Sequence, residues 1–274
     1  MYGCLVGPPV SPKADIGVLF THNEGYSTMC GHGIIAVTTV LLELGLMGGR
    51  DGAHRVGIDT PAGFVEAWGT VEGGRVRGVS FVNVPSFVAG LDRRVEVPGV
   101  GSVRYDMAFG GAFYAFVDAP ALGLGLVPAE AGDLIRLGTA IKAAVVAQGQ
   151  PVHPEDRDLG FVYGTIFVGP PADPGAHSRN VCVFADGEVD RSPTGTGVSA
   201  RLAIHHARGE LAAGERIRIE SILGTTFEGE VVGTSAVGSL AAVVPRVSGR
   251  AHVTGRSEFF FDPRDPLRDG FLLR

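Results

Sequence analysis

The chain has 274 residues, 45% hydrophobic and 19% charged, with a formal net charge of −6. This is a globular composition long enough for two domains. The acidic balance, with no basic cluster, argues against nucleic acid or an anionic membrane surface as partner.

No apolar run approaches the ~20 residues of a membrane span. The opening Met1-Tyr2-Gly3-Cys4 lacks the shape of a signal peptide. Three scattered cysteines, Cys4, Cys30 and Cys182, fit a reducing compartment better than a disulfide framework. A cytoplasmic protein is expected. The 42 glycines and 17 prolines are dispersed among apolar stretches, which predicts turn-rich β structure.

In chain order, Leu5 to Val10 reads as a strand entering a proline turn, and Ile16 to Phe20 as a short buried strand. The loop Tyr26-Ser27-Thr28-Met29-Cys30-Gly31-His32-Gly33 follows. After it, Ile34, Val37, Val40, Leu41 and Leu44 have helical spacing, and Gly45 is a natural stop. From Arg55 to Val88 the pattern is β, with a hairpin turn at Gly73-Gly74. Residues 99–103 read as a connection. Tyr105 to Asp118 reads as two strands around Gly110-Gly111, and Pro128 to Val146 as a helix. Strands are predicted at Phe161–Val168 and Asn180–Phe184. The segment Asp190-Arg191-Ser192-Pro193-Thr194-Gly195-Thr196-Gly197 then opens a helix through Ala207 that ends near Gly209, before strands at Arg216–Glu220 and Phe227–Val232.

Two stretches carry chemistry. A cysteine where a loop becomes a helix feels the positive end of the macrodipole, which favours the thiolate. The same helix end offers unpaired N–H groups that can hold a carboxylate. Thr194-Gly195-Thr196-Gly197 matches Cys30-Gly31-His32-Gly33 at an offset of 164 positions (30 to 194). Ile58-Asp59-Thr60 matches Ile219-Glu220-Ser221 at 161 positions (58 to 219). A duplicated lobe is the economical reading. Facing lobes would aim two helix N-termini at one cleft, and a carboxylate is the natural occupant.

At these residues the chain resembles the proline racemase family. Met29-Cys30-Gly31-His32-Gly33 and Asp190 to Gly197 look like its two signature segments. Phe109-Gly110-Gly111-Ala112-Phe113, Glu220 to Gly224 and Asp262 to Pro266 fit as well. The resemblance implies an α/β, diaminopimelate-epimerase-like fold: two pseudo-symmetric lobes, each a sheet wrapped around a central helix. The lobes are expected at 1–103, completed by 251–274, and at 104–250. A strand near Ala251–Phe261 is expected to return to the first lobe. Family members carry further strands before the stretch that resembles Tyr2 to Leu5. The first lobe is therefore expected to lack its opening strands and to leave an apolar sheet edge exposed.

Racemases and epimerases of the family carry a second cysteine where this chain has Thr194. The cysteine–threonine pair resembles the trans-3-hydroxy-L-proline dehydratase branch. That resemblance implies Cys30 as proton acceptor, with Thr194 orienting a water or the leaving hydroxyl, or capping its helix. Gly31, His32, Gly195 and Thr196 are expected to hold the substrate carboxylate, and Asp190 the ring ammonium. Tyr105, Phe109 and Phe113 are candidate pocket aromatics. Cys4 and Cys182 read as inert residues of apolar strands.

The expected partner is a hydroxyproline-type imino acid, with no metal and no cofactor. A homodimer with a second copy of the chain is left open. The rival readings are an epimerase of the same family, another α-proton enzyme on this fold, and a non-catalytic fragment or binding protein for an imino acid.

Overall fold

The computed structural model describes residues 2–48 and 50–270. Strands β1 (Gly3–Gly7), β2 (Ile16–His22) and β3 (Gly25–Ser27) lead into helix α1 (Gly31–Glu43). Four long strands follow: β4 (Gly52–Thr60), β5 (Gly63–Glu72), β6 (Arg75–Val82) and β7 (Ser86–Val97). Then come β8 (Gly101–Phe109), β9 (Phe113–Asp118), helix α2 (Ala131–Gln148), β10 (Val162–Gly169), β11 (Ser178–Phe184) and β12 (Glu188–Val189). Helix α3 (Gly195–Ala207) precedes β13 (Arg216–Glu220), β14 (Thr226–Val237) and β15 (Leu240–Gly249).

The strands form one path, β1-β2-β4-β5-β6-β15-β14-β13-β11-β10-β9-β8-β7, with β3 beside β2 and β12 beside β11. β7 also pairs with β15, at Phe87 opposite Ala242. The second half of the path therefore closes on itself, around α3. Every residue of α3 from Gly195 to Ile204 is buried, as a helix inside a sheet requires. In the first half, α1 packs on β5, β6 and β15 through Ile34, Ile35, Val37, Leu41 and Leu42. Its C-terminal turn hands over to Gly45 at φ 66°, a backbone angle that favours glycine. Buried apolar residues of both halves, from Val18 to Val247, join in one continuous core.

The internal repeat is visible in the pairing. β2 runs parallel to β4 with Ile16 opposite Ile58, and β11 runs parallel to β13 with Ser178 opposite Ile219. A carboxylate follows at the same place in each. Asp59 accepts from the backbone N–H groups of Val10 and Ser11, and Glu220 accepts from those of Ala172 and Asp173. Each ties down the loop that joins two neighbouring strands, β1 to β2 and β10 to β11. Glu220 also forms a buried ion pair with Arg179 at 2.8 Å.

Three expectations change. No strand forms over 251–261, and Phe259, Phe260 and Phe261 are exposed. The strand that bridges to the first half is β15, pairing with β6 from Val79 to Val82. Pro245 had disguised it, but β15 spends that position where the register of β14 shifts between Val231 and Gly233. Of residues 99–103 only 99 and 100 lie in the turn between β7 and β8: Gly101 to Val103 begin β8. They follow β7, whose alternation is broken by two register shifts and by Asp92 at φ 57°. Position 103 thus falls inside a hairpin whose strands pack on α3, and β7 on α2 as well. We place the crossing between lobes ahead of β7. Met1 and residues 271–274, which the expected first lobe included, lie outside the described residues. β1 is the end of the strand path and exposes Leu5 and Val6.

Candidate active site

Helices α1 and α3 meet at their N-termini. A Cβ placed on Gly31 would lie 2.6 Å from Gly195 Cα, and one on Gly195 would lie 2.7 Å from Gly31 Cα. Only glycine at both positions lets the two helix ends touch. Gly110 and Gly111 permit a second close approach, since a Cβ on Gly110 would meet the Thr196 carbonyl at 2.2 Å. Each helix therefore directs its unpaired N–H groups, and the positive end of its dipole, into the same space.

Cys30 is the N-cap of α1. Its backbone is extended, and its Sγ accepts from Gly33 N at 3.2 Å. Thr194 holds the same place on α3 but with φ 67° and ψ 98°. That strained backbone, worth about 1–3 kcal/mol, is held by three bonds. Asn180 donates to the Pro193 carbonyl at 3.0 Å, Thr194 N donates to Ser192 Oγ at 3.1 Å, and Thr194 Oγ1 donates to Asp190 Oδ2 at 2.9 Å.

His32 and Asp190 connect the two sides. His32 Nδ1 lies 3.2 Å from Asp190 Oδ2 and 3.2 Å from Ser192 Oγ. Burial works against the imidazolium, but the negative charges of Cys30 and Asp190 outweigh it and hold the His32 pKa well above its ordinary value. Burial likewise opposes ionisation of Asp190. The His32 cation and the donors of Ser192 overcome it, and its carboxyl stays below the usual range. The arrangement is an imidazolium–carboxylate pair beside the Cys30 sulfur.

Cys30, Gly31, His32, Asp190, Thr194, Gly195 and Thr196 all line one narrow recess, whose enclosed space is only about 10 Å³. Its remaining walls are Tyr2, Met29, Tyr114, Tyr163, Cys182 and Phe184. The candidate aromatics are elsewhere. Phe109 and Phe113 pack with Phe87 around His153, and Tyr105 faces a different surface hollow. The reason is register: along β9, Phe113 and Tyr114 point to opposite sides, and only Tyr114 faces the recess, bonding Thr196 Oγ1 at 2.7 Å.

Cys182, read as inert, is fully buried yet lines the recess from β11, and burial pushes its thiol well above the ordinary value. Tyr2, Tyr163 and Phe184 carried no sequence signal, because single aromatics in strands look like core. Cys4, His22, Glu188 and Arg191 line a wider hollow that shares Tyr2, His32, Phe184 and Asp190 with the recess. Among the described residues, no group of three or more His, Cys, Asp or Glu converges in a metal-holding arrangement. None of the helices described is long and apolar enough to cross a membrane.

Two helix starts meet beside a cysteine, and comparison with known proteins places the chain in a family. The family model described as proline racemase matches residues 1–272, and the chain belongs to that family. It is 48% identical over 274 residues to trans-3-hydroxy-L-proline dehydratase of Azospirillum brasilense, covering 100% of this chain and 82% of that protein. It is 47% identical over the same length to 3-hydroxyproline 2-epimerase of Burkholderia multivorans, with the same coverage. The solved structure of a hydroxyproline epimerase from Agrobacterium vitis, with trans-4-hydroxy-L-proline bound, superposes with a TM-score of 0.93 at 34% identity, covering 98% of this chain and 77% of that one. A predicted epimerase from Pseudomonas aeruginosa, 14% identical with a TM-score of 0.60, covers 95% of this chain and 84% of its own and shares the fold alone.

Proposed function

We propose that this protein is a trans-3-hydroxy-L-proline dehydratase, a cofactor-independent lyase that removes water to give 1-pyrroline-2-carboxylate. The observation that carries this reading is the commitment of Thr194. A racemase or epimerase needs an acid on each face of Cα. The only hydroxyl hydrogen of Thr194 is donated to Asp190 Oδ2 at 2.9 Å. A threonine hydroxyl is also far too weak an acid to replace a thiol. One face of Cα therefore has a sulfur and the other has no proton donor of matching strength.

The substrate carboxylate lies between the N–H groups of Gly31 and His32 on α1 and those of Gly195 and Thr196 on α3. Asp190 accepts from the ring ammonium. In the trans isomer the 3-hydroxyl is opposite the carboxylate, hence on the same face as the α-hydrogen. Cys30 thiolate takes that proton. Negative charge moves onto the carboxylate, where two helix ends stabilise it in a dry recess. The C3–O bond then breaks, its electron pair leaving with oxygen, and the Cys30 thiol returns the proton to form water. The enamine tautomerises outside the elimination itself. His32, held cationic, lies beside the sulfur. Three free thiols fit a reducing cytoplasm.

Cys30→Ser is expected to lower dehydration roughly 10²- to 10⁴-fold, the range for a positioned proton-transfer group. Product formation from trans-3-hydroxy-L-proline is the assay, and wild-type rates in the variant would end the reading. The second reading, an epimerase, is favoured by the equally similar Burkholderia multivorans relative. Incubation with L-proline and 4-hydroxyproline in deuterated water separates the two, because only an epimerase incorporates deuterium with inversion at Cα.

A further inference from the structure

Nearly every polar atom in the wall of the recess is engaged. Thr194 bonds Asp190, Tyr114 bonds Thr196, Tyr2 bonds Ser27, and Asp190 holds His32 and Ser192. Tyr163 is the exception. It is 8% exposed, and its buried Oη makes no hydrogen bond of good geometry among the described residues, the nearby Tyr2 and Ser27 hydroxyls being bonded to each other. A buried phenol without a partner costs stability, so its persistence in a substrate cavity points to a ligand group that completes it.

The position of that oxygen is built. Tyr163 sits at a register shift of β10 against β9, between Val162 and Gly164, a device that re-aims one side chain. Gly164 beside it has no room for a Cβ, which would lie 2.5 Å from the Val183 carbonyl. The ring is clamped by Phe184, stacked at 5.4 Å, and by the edges of Tyr114 and His22 at 5.8 and 6.0 Å. The hydroxyl therefore cannot swing away to find water. Burial, then the nearby Cys30 charge, raise its pKa further above the ordinary tyrosine value, so it stays a neutral donor.

We propose that Tyr163 is the residue that recognises the 3-hydroxyl of the substrate, donating from its Oη to the oxygen that leaves. The inference rests on the dehydratase reading and deepens it. With the carboxylate between the helix ends and the ring nitrogen at Asp190, the 3-hydroxyl is the one polar group of the substrate without a fixed hydrogen-bond donor, Cys30 delivering a proton to it only as it leaves. It lies on the Cys30 face, and Tyr163 is the unsatisfied donor whose surroundings include Cys30. Tyr163 transfers no proton: it holds the oxygen in line with C3 and stabilises the charge that gathers there as the bond breaks.

Tyr163→Phe removes the oxygen alone. The expected result is a fall of about 100-fold in kcat/KM for trans-3-hydroxy-L-proline, as for loss of one donor to a developing oxyanion. Affinity for pyrrole-2-carboxylate, which has no 3-hydroxyl, should stay within about twofold of wild type, and the melting temperature should not fall, since no protein hydrogen bond is lost. An unchanged rate overturns the inference. So does an equal loss of affinity for pyrrole-2-carboxylate, which would make Tyr163 a packing residue. If the wild-type chain forms no product, the dehydratase reading fails separately. Calorimetry then decides hydroxyl recognition: a preference for trans-3-hydroxy-L-proline over L-proline that Tyr163→Phe abolishes supports it, and the absence of such a preference, or one that persists in the variant, overturns it.

Discussion

At position 194 the difference between neighbouring chemistries comes down to one side chain and one hydrogen. The hydroxyl of Thr194 points its hydrogen at Asp190, while a thiol at the same place would face Cα from the side opposite Cys30. Thr194→Cys is therefore expected to add what the wild type lacks: α-epimer should accumulate beside the elimination product, detectable by chiral chromatography. Asp190 governs a second property. His32 is charged well past its ordinary titration range, and Asp190 supplies part of the reason. A group with a raised folded pKa contributes stability that is complete below its unfolded pKa and is lost as pH rises through the folded one. Activity that needs the imidazolium follows the same alkaline limit. In Asp190→Asn that limb of the pH–rate profile should move to lower pH. The same logic runs in reverse for Asp190 itself, whose stabilising charge is present above its unfolded pKa and lost as pH falls through its depressed folded value. An alkaline limb unmoved in the variant would show that Asp190 does not hold His32 charged.

At the scale of the helix, the contact of Gly31 with Gly195 is the element that makes two half-sites into one. Gly195→Ala would place a methyl 2.7 Å from Gly31 Cα, and the helix ends would have to part. A displacement near 1 Å costs an enzyme on the order of 10²-fold. The variant is expected to lose about that much in kcat/KM while keeping its far-UV circular dichroism. A loss confined to KM would mean that the helix ends bind but do not position. The helices themselves were legible in the sequence, because apolar spacing, a small N-terminal loop and a glycine stop all agree at Gly45 and Gly209. β7 and β15 were not. Both carry the irregularities, Asp92 and Pro245, that a bulged or bent strand tolerates and an alternation pattern reads as a break.

Across the whole molecule, β15 is shared. It pairs with β6 of the first lobe and with β14 and β7 of the second. Asn83, just after β6, reinforces the crossing by donating to the Gly110 carbonyl at 2.8 Å and to Ser199 Oγ at 2.9 Å. The two lobes are accordingly expected to unfold together. Trp68 is the single tryptophan and lies in β5, so its fluorescence reports on the first lobe, and its urea transition should coincide with that of far-UV circular dichroism. Asn83→Ala should lower the stability of that single transition by about 2–3 kcal/mol, because buried partners are left unpaired. Separate transitions would show that β15 does not couple the lobes.

The sequence by itself determined the family of the protein and the two helix starts that meet at its centre. Cys30 and Thr194 open two helices at one internal offset, and such local signals (caps, glycines, apolar period) survive in one dimension because each depends on neighbours a few residues away. Tertiary structure alone decided which aromatics face the recess. Phe113 and Tyr114 are adjacent in β9, yet only the second reaches the recess, and Tyr163 owes its aim to a bulge in pairing between β10 and β9. Which side of a strand looks inward depends on register against partners far along the chain, and no spacing within the strand itself records it.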